Sequence, residues 1–386
     1  MSQPLTCSTA SAYLENIRTL KANFDEAYEA AVSSAEPVSM RRARVAKVLL
    51  KHEMQTLKQM LWSTFYLSRY PESVEKKEHY YQNPEVLEGY EERLYALQTF
   101  SDGTIISGGA SKKIEIRKRD EDGKYRVIDT LVGHQDAVTC FQALSDGQIV
   151  SGSFDETIRI WQRDTHGKYR DIEILAGHKG SICALQVLPG GTIISGSSDN
   201  SIRIWKRDAD EKYINTETLK GHGDSVTNLQ VLPDGKIVSG SYDRTIKIWE
   251  KDAFGIYQNT MTLEGHTGSI NALQVLLDGT IISGSHDGTI KIWRGDVGRY
   301  TDVETIQAHS GGVYALQVLP DGRIISGGRE STIKFWDRDI HGEYVCIQAL
   351  DARTNASTLQ VLYNGQIVSG GVNGKIVIWD GDPVTV

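Results

Sequence analysis

The sequence predicts an all-β fold, a closed ring of seven four-stranded antiparallel sheets, preceded by a small α-helical hairpin. Three observations predict the ring. Tryptophan recurs at Trp161, Trp205, Trp249, Trp293, Trp336 and Trp379, at intervals of 44, 44, 44, 43 and 43 residues. A histidine keeps the same period, at His134, His178, His222, His266 and His309. A turn pair returns seven times, at Asp102-Gly103, Asp146-Gly147, Gly190-Gly191, Asp234-Gly235, Asp278-Gly279, Asp321-Gly322 and Asn364-Gly365. A fixed period in the low forties marks stacked copies of one supersecondary unit rather than one mixed core.

The stretch from Leu175 to Trp205 shows the unit. Its apolar residues alternate or run short (Ile182, Leu185, Val187, then Ile193, Ile194, Ile202 and Ile204), which favours strands over helix. Four strands, a to d, fit each period. The Gly-containing pair supplies the positive φ of a tight hairpin between a and b. Gly-Ser-x-Asp, Gly196 to Asp199, turns b into c, and Arg-Asp-x-x-x-Lys-Tyr, Arg207 to Tyr213, turns c into d. These residues resemble the WD-repeat family, and the resemblance, covering residues 80 to 382, implies a β-propeller. The Trp-Asp dipeptide itself survives only at Trp336-Asp337 and Trp379-Asp380.

Seven blades follow, because Arg117 lies 44 residues before Trp161 in a first, degenerate copy. The expected propeller spans residues 80–386. Its last copy stops just past Trp379 without an outer strand, while a spare strand-like stretch, 80–86, precedes the first a strand. Tyr81 falls in register with Tyr125, and Leu87 with Leu131. The spare stretch is expected to close the ring against Ile376 to Trp379; Pro84 suits an edge strand.

Residues 1–79 read as a helical hairpin, with helices over about 10–33 and 38–69. Tyr13, Ile17, Leu20, Phe24, Ala27 and Ala31 step by three and four along the first, and Val45, Val48, Leu49, Leu57, Met60, Leu61 and Phe65 mark the second. Ser33-Ser34-Ala35-Glu36-Pro37 separates them, and Tyr70-Pro71 ends the pair. A hairpin this small does not bury both stripes by itself. It packs on the ring, dimerises, or docks a second protein.

The net charge of -8 argues against a general nucleic-acid binder. Four cysteines, Cys7, Cys140, Cys183 and Cys346, show neither C-x-x-C nor a disulfide framework. The start lacks the pattern of a secretory signal and no run is long enough for a membrane span. The expected location is the cytoplasm, or a host cytosol if the source is a bacterial pathogen. No cofactor or metal is expected: the P-loop, H-E-x-x-H, EF-hand and dinucleotide patterns are absent, and the histidines outside the periodic set lack ligand spacing.

One constellation has the composition of a hydrolase: His178, Ser195 and Asp199 in one copy. It returns as His134, Ser151, Asp155; as His222, Ser239, Asp243; and as His266, Ser283, Asp287. A nucleophilic site needs one exposed hydroxyl, not four equivalent ones. The resemblance implies instead that each set joins the indole N–H of Trp161, Trp205, Trp249 or Trp293 in a buried hydrogen-bonded chain, locking the d–a loop to the b–c turn. Donor-only indole, two-way hydroxyl, imidazole and carboxylate can satisfy one another without water. Copies one, six and seven depart, with Arg117 for Trp, Glu330 for Asp, and Ala352 for His. An intact chain is therefore not expected in those three.

The a–b and c–d turns emerge on one face and repeat nearly unchanged. On the opposite face two positions differ from copy to copy: Ala110, Phe154, Ser198, Tyr242, His286, Arg329 and Val372 in the b–c turn, and Tyr95, Thr139, Cys183, Thr227, Asn271, Tyr314 and Ser357 in strand a. A constraint acting equally on every blade would keep these alike. Tyr95, Phe154, Tyr242, His286, Asn271, Tyr314 and Arg329 are thus the candidate partner-binding residues, with the aromatics as anchors. The expected function is a non-enzymatic scaffold holding a protein or peptide on this face. Alternatives are a substrate-recruiting adaptor of a ubiquitin-ligase-type complex and a bacterial effector acting on host-cell proteins; an enzyme with an unrecognised site ranks last.

Overall fold

The computed structural model describes residues 81–380, apart from 88–91, 101, 145–146, 189, 297–298, 320, 353–354 and 363. The hairpin expected over residues 1–79 lies outside the described residues.

Among the described residues, short β-branched runs separated by Gly-containing turns produce 28 strands in seven four-stranded antiparallel sheets. Blade 3 shows the pattern: strand a Ile182–Val187, b Ile193–Ser197, c Ser201–Arg207 and d Tyr213–Lys220, paired in that order. Blades 1, 2, 4, 5 and 6 repeat it over residues 94–132, 138–175, 226–263, 270–307 and 313–351. Blade 7 takes three strands from residues 356–380 and its outer strand from Gln82–Leu87, which runs antiparallel to Ile376–Asp380 with Leu87 opposite Ile376. Each strand a packs beside the strand a of the blades before and after it, and blade 7 returns to blade 1.

The strand b of every blade is buried along its length, because both faces of each sheet are covered by neighbours. The core is accordingly divided into seven apolar clusters, one per junction. Val150, Ile158 and Ile160 of blade 2 meet Ile182, Leu185, Ile193 and Trp205 of blade 3. The closing junction is built alike, from Val368, Ile376 and Ile378 against Leu94, Leu97 and Ile105. Burying each such side chain contributes about 1.5–3 kcal/mol. Truncating Ile193, which is fully buried, to Ala would cost about 2–5 kcal/mol.

The a–b turns differ in detail from a two-residue hairpin. Phe100 N–H donates to Thr104 O at 2.8 Å and Gly103 N–H to Phe100 O at 3.0 Å, so a turn leads into a bulged glycine at φ 80°. Asp102 is not left-handed; its Oδ1 accepts the Thr104 N–H at 3.0 Å. Aspartate at this place is a side-chain cap, and glycine alone supplies the positive φ. The c–d tyrosines latch this end of blades 1, 2, 3, 5 and 6. Tyr125, Tyr169, Tyr213, Tyr300 and Tyr344 donate their hydroxyls to the turn carbonyls of Gly103, Gly147, Gly191, Gly279 and Gly322. Tyr81, just before the strand that completes blade 7, makes the equivalent bond to Gly365 O at 3.1 Å.

Candidate interaction face

In blade 4 the Trp249 indole N–H donates to Ser239 Oγ at 2.8 Å, Ser239 Oγ meets His222 Nε2 at 2.8 Å, and His222 Nδ1 meets Asp243 Oδ2 at 2.7 Å. The carboxylate also accepts the Gly223 N–H at 2.8 Å and the Thr245 N–H at 2.9 Å. One tautomer satisfies every group: His222 Nδ1–H donates to the carboxylate, and its Nε2 lone pair accepts the serine proton. Blades 2, 3 and 5 hold the same chain, through His134, Ser151, Asp155 and Trp161; His178, Ser195, Asp199 and Trp205; and His266, Ser283, Asp287 and Trp293.

Burial is the main cause lowering the pKa of these histidines, against their carboxylates. Burial raises the carboxylates, but the hydroxyl, amide and imidazole donors outweigh it, and Asp243 falls to about 2. The four serines are fully buried. No substrate carbonyl reaches such a hydroxyl, and the site offers a hydrogen-bonded clamp rather than a nucleophile. Burial likewise disfavours the thiolates of two cysteines, pushing Cys140 up to about 12 and Cys183 to about 11.

The expectation for copies one, six and seven needs correction in blade 6. His309 Nδ1 reaches Glu330 Oε1 at 2.6 Å, His309 Nε2 meets Ser326 Oγ at 2.8 Å, and Trp336 donates to Ser326 at 2.9 Å, so the chain is complete. The extra methylene of Glu330 is accommodated because residue 328 is Gly where blades 2–5 carry Ser153, Ser197, Ser241 and Ser285. A Cβ at Gly328 would lie 2.2 Å from His309 Nδ1 and 2.7 Å from Glu330 Oε2. Blades 1 and 7 lack the periodic histidine. Arg117 Nη1 donates to Ser107 Oγ at 2.9 Å in place of an indole, and Trp379 donates to Ser369 Oγ at 3.1 Å with no histidine beyond.

The clamp fixes the loops that carry the variable residues. Tyr95 of blade 1 packs on Phe154 of blade 2, ring centres 5.4 Å apart, with the Arg93 guanidinium 5.0 Å from the Tyr95 centre. Tyr314 of blade 6 meets His286 of blade 5 edge-on, its hydroxyl 3.2 Å from Nδ1. Burial raises the pKa of the Tyr242 hydroxyl. Tyr242 is nevertheless 49% exposed and Phe154 38%. Arg329 is exposed on blade 6 and makes no side-chain hydrogen bond or ion pair among the described residues.

Asn271 differs from the others. Its amide donates to Val313 O of the next blade at 3.2 Å. Thr227 bonds Ile270 O at 2.7 Å, Thr139 bonds Ile182 O, and Ser357 bonds Leu94 O at 3.4 Å. The strand-a position therefore divides into small polar residues that tie neighbouring blades and aromatics that reach the mouth. Arg93 was missed in the sequence because it lies one residue before strand a, outside both variable positions.

Five segments, residues 125–162, 170–206, 214–250, 257–294 and 300–337, match the family described as WD domain, G-beta repeat. Among solved structures, the crystal structure of the WD40 beta propeller domain of Doa1 is similar, with a TM-score of 0.65 at 25% sequence identity. The match covers 78% of this chain and 97% of that one. No curated protein matches the chain.

Proposed function

We propose, for a chain that carries WD40 repeats on a seven-bladed propeller, a non-enzymatic scaffold that holds a protein or peptide on the d–a/b–c face. WD40 propellers are generally interaction scaffolds of this kind. The observation that carries the reading is the pairing of rings across blades, Tyr95 with Phe154 and Tyr314 with His286, with Tyr242 and Phe154 partly open to solvent. Half-exposed aromatics held by a rigid frame lose little conformational entropy on binding. The amphipathic stripes read in residues 1–79 support a second contact there, with another copy of the chain or with another protein.

Replacing Tyr242 and Arg329 together by Ala abolishes capture of the wild-type chain's partner from lysate and shifts the Tm by less than about 2 °C. Undiminished capture would remove this face from consideration.

A further inference from the structure

One contact recurs around the outside of the ring, and at one junction its chemistry changes. The side chain four residues after the c–d tyrosine of one blade accepts the backbone N–H of the c–d tyrosine of the next. Asp129 Oδ2 takes the Tyr169 N–H at 2.9 Å, Glu173 Oε1 that of Tyr213 at 2.8 Å, Glu217 Oε2 that of Tyr257 at 3.1 Å, and Glu304 Oε1 that of Tyr344 at 2.8 Å. Gln348 does the same for Tyr81 at 3.3 Å through its amide oxygen. Glu85, at this position in the outer strand of blade 7, pairs with Arg119 of blade 1. Between blades 4 and 5 the acceptor is Met261, whose Sδ meets the Tyr300 N–H at 3.3 Å. A thioether accepts weakly, so this tie is the poorest of the series.

Met261 is also within reach of small reagents. It lines a crevice of about 560 Å³ between the outer strands of blades 4 and 5, together with Thr262, Trp293, Arg299, Tyr300 and Asp302. Its other side packs against the apolar cluster of that junction. It is the only methionine in residues 80–386, the other four being Met1, Met40, Met54 and Met60. Methionine sulfoxide differs from the thioether by one polar oxygen on Sδ. That oxygen lies the same number of bonds from Cβ as the Oε of Gln348 or of the glutamates. Oxidation thus gives Met261 the acceptor that its counterparts already carry.

We propose that Met261 is a modification site for hydrogen peroxide, and that its sulfoxide tightens the junction between blades 4 and 5 rather than damaging it. The sulfur lone pair attacks the peroxide and the O–O bond breaks. One oxygen bonds to Sδ and the other leaves as water with both protons, so sulfur is oxidised by two electrons and peroxide is reduced by two. The unbranched side chain has the rotational freedom to draw back and present the new oxygen to the Tyr300 N–H. The test treats the full chain with hydrogen peroxide under native conditions and follows it by peptide mapping and hydrogen–deuterium exchange. The expected result is one oxygen on Met261 and exchange at the Tyr300 amide slowed by at least about threefold, the scale of one strengthened hydrogen bond. Methionine sulfoxide reductase returns the original rate. Untreated Met261→Gln shows the same slowing with a Tm raised by about 1–2 °C, whereas in Met261→Leu the Tyr300 amide exchanges faster than in wild type and does not respond to peroxide. A Met261 that stays unoxidised while the chain remains folded would overturn the proposal. So would an oxidised chain whose Tyr300 amide exchanges at the same rate or faster, because the sulfoxide would then be a lesion; slowing in Met261→Gln alone would not rescue it.

Discussion

Blades 2–6 and blades 1 and 7 are built on the same apolar stacking but differ in their polar interior. In the first group an indole, a serine, a histidine and a carboxylate form one continuous chain. In the second, no histidine stands at the place of His222, and the serine is met by Arg117 or by Trp379. Both groups bury strand b equally and both complete an inter-blade cluster. The ring is therefore made by apolar contact, which needs only the period, while the polar chain fixes the d–a loop against the b–c turn of an individual blade. Blades that close the ring can do without it.

The largest expected effect breaks the chain where it is complete. Asp243→Ala leaves His222 Nδ1–H and the Gly223 amide without their acceptor and lowers stability by about 3 kcal/mol in urea unfolding. The equivalent Asn373→Ala in blade 7 costs less than about 1 kcal/mol. Next comes blade 6. Gly328→Ser alone drives a side chain into His309 and Glu330 and costs about 2 kcal/mol. Adding Glu330→Asp restores the arrangement of blades 2–5 and recovers most of the loss, a coupling that a double-mutant cycle reads directly.

Acid sharpens the comparison further. The five clamp histidines titrate below their ordinary value in the folded state, mainly through burial. The unfolded chain therefore takes up more protons as pH falls through about 6.5, and stability drops from there. A second loss follows below about pH 4, where the depressed carboxylates of Asp155, Asp199, Asp243, Asp287 and Glu330 are protonated first in the unfolded chain. His222→Gln reduces the size of the first step by about a fifth in urea midpoints measured against pH.

Much of this was legible in the sequence because repetition displays its own constraints. The Trp and His spacings give the blade count, and the register of Tyr81 with Tyr125 marks the segment that supplies the seventh outer strand. Other features depend on space or dihedral angle, which a repeat does not print. Glu330 looks like a defect until Gly328 is seen to vacate the volume it needs. Asn271 reads as a recognition residue until its amide is found on the next blade's carbonyl. Sequence variation alone does not separate a tie between blades from an anchor for a partner.

The division of labour within one turn is tested most directly by two variants three residues apart, Ser239→Ala and Tyr242→Ala, compared by equilibrium urea unfolding. Ser239 joins Trp249 to His222 inside blade 4, and its loss strands two buried polar groups at a cost of about 2–4 kcal/mol. Tyr242, half exposed at the mouth, costs less than about 1 kcal/mol. Equal losses, or a stable Ser239→Ala protein beside an unfolded Tyr242→Ala one, would contradict the account.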